Sequence, residues 1–137
     1  MTVPGLAMRE RYLADSIATA SPAKLLTMLY DRLVLDLNRG EAAVRVGDRE
    51  TASQQLMHAQ DIVLELRTSL NVSTWSGATG LAQLYTFLFS ELIGANVNAD
   101  ADRVAGCQAL VEPLRDAWHE AVHAAVVAPD PAAARVG

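Results

Sequence analysis

The residues with the best claim to chemistry are His119, Glu120 and His123, which form an H-E-x-x-H pattern. On a helix, positions four apart share a face, so both imidazoles could grip one zinc ion with Glu120 as general base, as in a zinc hydrolase. A catalytic zinc also needs a third protein ligand. None is offered downstream. No His, Glu or Cys follows His123, and Asp130 sits in a loose Ala/Pro-rich tail. A metzincin-type extension would need Gly and His where Val126 and Pro129 stand. The pattern is read as a solvated helix end, and neither a metal nor another cofactor is expected.

The other reactive residue types form no set. His58 falls beside an apolar helical stripe, and Ser21 is better explained as a helix cap. Gly77-Ala78-Thr79-Gly80 lacks the lysine and the preceding strand of a phosphate loop. Asn71-Val72-Ser73 fits a glycosylation acceptor, with nothing to imply secretion. Cys107 is the single cysteine, so no intramolecular disulfide forms and a reducing compartment is favoured. The residues name no catalytic group, and the reading is a binding protein rather than an enzyme.

The elements that would carry these residues are helices. Ala, Leu and Val dominate, aromatics are few, and half of the 137 residues are hydrophobic, a mixture that suits helices better than strands. Ser21-Pro22 starts the first helix, because Ser caps and Pro is preorganised for the first turn. That helix runs to about Val46, with Leu26, Leu29, Leu33 and Leu37 at helical spacing and Leu25, Met28 and Leu35 widening the stripe. Gly40 marks a bend or a close packing point.

Gly47-Asp48 ends the first helix and caps a second, over about 49–71, with Ala52, Leu56, Ala59, Val63, Leu66 and Leu70 at the spacing of a bundle seam. After the loop NVSTWSGATG, a third helix over about 79–97 carries Leu81, Leu84, Tyr85, Leu88, Leu92 and Ala95 on one side. Phe89, Ile93 and Val97 lie off that stripe, so this helix is apolar on two faces. It is either central or borders an open apolar groove. A fourth helix over about 101–126 places Val104, Cys107, Val111, Leu114, Trp118 and Ala121 in its seam, with Pro113 expected to kink it. The fold class is all-α, an antiparallel four-helix bundle (21–126) with a short N-terminal helical arm (1–20) and a disordered tail (127–137).

The formal net charge is −5, and the eleven Lys and Arg are scattered with no run of three, which argues against nucleic-acid binding. No basic start leads into an apolar signal stretch, and no apolar run approaches the roughly 18 residues of a span. Cytoplasmic location without membrane insertion is expected.

Tyr12, followed seven residues later by Thr19-Ala20-Ser21-Pro22 and then Leu25 and Met28-Leu29-Tyr30-Asp31, resembles the opening signature of the flagellin export chaperones, the FliS family. The likeness continues through Gly47-Asp48, Ala59, Ile62, Leu66, Ser69-Leu70, Leu81, Leu84-Tyr85, Leu92, Ala95-Asn96, Leu114-Arg115 and Trp118. It departs at Asn71, where Asp is usual, and in lacking a Gln shortly after the arm tyrosine.

The resemblance implies a cytoplasmic bundle that binds the disordered C-terminal segment of flagellin and prevents its premature polymerisation. It also implies delivery of that client to the flagellar type III export gate. By the same resemblance the client meets Tyr12 in the arm and the groove side of Leu25, Leu29, Leu84, Tyr85 and Phe89. The competing reading is a structural bundle that only self-associates, and a homodimer of the free protein stays open.

Overall fold

The structure, a computed structural model, describes residues 21–127. The expected arm with Tyr12, and the tail beyond Val127, lie outside the described residues.

Local chemistry sets each helix boundary. Helix α1 (Pro22–Arg45) starts where the Ser21 hydroxyl accepts the Lys24 N–H at 3.1 Å, with Pro22 in the first turn. It ends at Gly47, whose φ of 76° is easy only for a residue without Cβ. Asp48 then caps α2 (Arg49–Ser69) by accepting the Thr51 N–H at 3.1 Å. The hydrogen bonds from Thr51 hold the Asp48 carboxyl below its ordinary range. Helix α2 stops at Ser69, short of the expected 71, because Leu70 is already extended. Helix α3 (Ala78–Val97) and α4 (Ala101–Val127) complete the described fold. Asp100 starts α4 by accepting the Arg103 N–H at 3.1 Å, and the helix runs on through Pro113.

Helix α1 packs on α2 and α4, and α3 packs on the same two, so the four helices form a closed ring. Short links between successive helices make neighbours antiparallel. The seam expected from spacing is the core: Leu33, Leu37, Leu56, Ala59, Val63, Leu88, Leu92, Val104 and Val111 are all buried. Gly40 serves close packing. A Cβ there would sit 2.7 Å from Cδ2 of fully buried Leu56.

Three expected seam residues point elsewhere. Met28 and Leu35 are 44% and 38% exposed. At about 100° per residue they lie roughly 200° round α1 from Leu33, opposite the core. Ala121 is exposed, one turn beyond Trp118, where the bundle opens at that end. Helix α3 does present two apolar faces. Tyr85, Leu88, Leu92 and Ala95 go inward, while Ile93 and Val97 are exposed.

Candidate functional site

The first turns of α1, the last turn of α2, the link 70–77 and the first half of α3 meet at one end of the bundle. Between them lies a predominantly apolar cleft of about 550 Å³. Antiparallel packing explains the meeting place, because the starts of α1 and α3 and the ends of α2 and α4 fall at the same end. Leu25, Leu26 and Leu29 form the α1 wall, Leu66 and Leu70 the α2 wall, and Leu81 and Tyr85 the α3 wall. Trp118 closes the cleft from α4, and Trp75 overhangs it from the link, its ring filling the space a Cβ on Gly77 would need.

The floor is aromatic and uncharged. The hydroxyls of Tyr30 and Tyr85 lie 2.5 Å apart in a buried hydrogen bond. Burial raises the pKa of both, so both stay protonated. The Trp118 ring lies 6.5 Å from the Tyr30 ring, centroid to centroid, at a tilt of 48°. Polar groups sit among the lining residues: Glu65, Ser69 and Asn71. Asn71 is already engaged, accepting the N–H and hydroxyl of Ser73 at 3.0 and 2.6 Å.

Of the residues singled out from sequence, Leu25, Leu29 and Tyr85 come together in this cleft. Leu84 and Phe89 lie on α3, partly buried against the core and outside the cleft lining. Tyr12 lies outside the described residues. Sequence reasoning missed Trp75 and the cleft role of Trp118. An exposed tryptophan inside a Ser/Thr/Gly-rich link was the available signal for the first.

The histidines are engaged with carboxylates on α1. His119 Nε2 meets Asp31 Oδ1 at 2.6 Å, which ties α4 to α1. His58, on the rim of α2, bonds the fully buried Asp36, whose other oxygen accepts Arg32 Nε at 2.9 Å. Both oxygens of this buried carboxylate are therefore partnered. Among the described residues, no group of three or more His, Cys, Asp or Glu could hold a metal ion. Among them too, no helix is long and apolar enough to cross a membrane.

An apolar cleft walled by leucines and floored by neutral aromatics can hold an apolar segment. It offers no aligned nucleophile and base. The fold and site thus define an all-helical protein with a concave apolar surface at one end.

Comparison with known proteins is specific. Residues 5–125 match the family described as Flagellar protein FliS. The chain is 30% identical over 111 residues to the flagellar secretion chaperone FliS of Bacillus subtilis, covering 81% of this chain and 83% of that protein. It is 28% identical over 119 residues to that of Escherichia coli, covering 85% and 88%. A bacterial flagellar chaperone of known crystal structure superposes with a TM-score of 0.69 at 19% identity, over 88% of this chain and 98% of that one, so it shares the fold. The chain belongs to the FliS family of flagellar secretion chaperones, which are not enzymes.

Proposed function

We propose that the chain is a cytoplasmic export chaperone that holds the C-terminal segment of flagellin. It would keep that client from polymerising and deliver it to the gate of the flagellar type III export apparatus. The observation that carries the reading is the open apolar cleft of about 550 Å³ in a protein of this family. A disordered client gains by placing the apolar face of a helix in such a cleft. Ordering the client offsets part of the gain, which keeps the complex releasable without nucleotide. Leu25, Leu29 and Tyr85 meet the client in the cleft, Leu84 and Phe89 extend the contact along α3, and Tyr12 meets it from the arm.

Titration calorimetry with a peptide of the flagellin C-terminal segment tests this. Wild-type protein binds, and Leu29→Ala weakens binding by about ten- to a hundredfold, the loss of one buried leucine contact. Tyr12→Ala weakens binding more than it lowers the thermal midpoint. An affinity equal to wild type removes Tyr12 from the site. A peptide that does not bind the wild-type protein refutes the reading.

A further inference from the structure

Trp75 reaches the cleft from outside the helices. It belongs to the link between α2 and α3, where residues 71–76 are all exposed, and it is itself 47% exposed although it lines the cleft. Its ring takes no part in the buried core. The backbone is pinned on both sides of it. The Thr74 hydroxyl donates to the Asn71 carbonyl at 2.7 Å, and the Ala78 N–H donates to the Trp75 carbonyl at 3.2 Å.

Gly77 is the seat of that ring. A Cβ on Gly77 would fall 1.9 Å from Cζ3, 2.6 Å from Cε3 and 2.8 Å from Cη2 of Trp75, so the six-membered part of the indole lies against the bare α-carbon. The backbone does not call for glycine here, because a φ of −80° and a ψ of −11° are open to any residue. Gly77 stands at the N-cap of α3, where Ser, Thr, Asn or Asp would supply a side-chain hydrogen bond that Gly77 does not make. The chain forgoes that cap at the one position where a side chain would push the ring aside.

We infer that Trp75, seated on Gly77, is a specificity-determining residue at the rim of the cleft, where its ring packs on an aliphatic side chain of the bound flagellin helix. The inference rests on the proposed client reading and deepens it. An indole offers a large, rigid apolar surface, and a half-exposed ring beside an apolar cleft still has much of that surface to bury against a partner. The client group is aliphatic because the ring shares the cleft with leucines from α1, α2 and α3. A charged side chain placed among them would lose its hydration. The seat on Gly77 fixes where the ring ends up. With a Cβ at position 77 the ring turns away, and the cleft loses this part of its rim.

The test uses full-length protein and the flagellin C-terminal peptide. Trp75→Ala leaves the thermal midpoint in place, because the ring is outside the core, and weakens binding by about ten- to thirtyfold, the loss of one aromatic anchor. Gly77→Ser separates the seat from the helix. It adds a cap to α3, so the midpoint holds or rises, yet affinity falls because the ring is displaced. Placed on top of Trp75→Ala, Gly77→Ser costs no further affinity, since no ring is left to move. Nuclear Overhauser contacts join the Trp75 ring protons to aliphatic methyl groups of the bound peptide. Wild-type affinity in Trp75→Ala, or a midpoint and an affinity that fall together in Gly77→Ser, overturns this inference alone. No binding of the peptide to the unaltered protein overturns the client reading and this inference with it.

Discussion

The Tyr30 hydroxyl on α1 and the Tyr85 hydroxyl on α3 meet at 2.5 Å although the two residues are 55 apart in sequence. Their helices are not packed neighbours in the ring, so the bond spans the bundle diagonally beneath the cleft. Each hydroxyl relies on the other for this bond. Tyr30→Phe or Tyr85→Phe alone should cost about 1–3 kcal/mol, because the remaining hydroxyl is left buried and unpaired. The double change should cost less than the two single losses added together, since both polar groups leave at once. Urea denaturation of the four proteins measures this, and strictly additive losses would show that the hydroxyls do not act as a pair.

Leu66 is 2% exposed at the middle of the α2 seam and also lines the cleft. Leu66→Ala should lower stability by about 2–5 kcal/mol through lost burial and the cavity it leaves. An unchanged thermal midpoint would mean the cavity collapses without cost.

Burial pushes the Cys107 thiol from about 9 up to about 11, with Glu91 adding to the rise and Arg103 opposing it. The thiolate is the charged, disfavoured form in the fold. The stability tied to the neutral thiol is thus fully present below pH 9 and is lost as pH rises through about 11. At pH 8 the folded protein should react with iodoacetamide at least ~100-fold more slowly than the unfolded chain, since two units of pKa leave that much less thiolate. Equal rates would place the thiol at the surface.

His119 joins Asp31 at 2.6 Å, with both side chains about half exposed. An exposed pair of this kind is worth under ~1 kcal/mol, so His119→Ala should shift the melt only slightly and leave client binding intact. A chelator should not move the wild-type melt. Stoichiometric zinc in purified protein, lost in the His119 variant, would restore the metal reading of the H-E-x-x-H pattern.

Much of this fold was legible along the chain because its causes are local. Ser21, Gly47-Asp48 and Asp100 satisfy or reverse the backbone within a few residues, so their spacing alone marks where helices begin and end. The apolar repeat through Leu33, Leu37, Leu56, Val63 and Val111 likewise names a core, since residues three and four apart must share a face.

Tertiary structure decided the rest, because a single helical period cannot say what stands opposite a face. Met28 and Leu35 look like seam residues until the direction of Leu33 fixes them outward. Asp36 is fully buried against His58 of α2, a contact that only the packing of α1 on α2 creates. The cleft draws Leu25, Leu29, Leu66, Tyr85 and Trp118 from four different helices. Its existence depends on how far those helices splay at one end, and no stretch of sequence encodes that separation by itself.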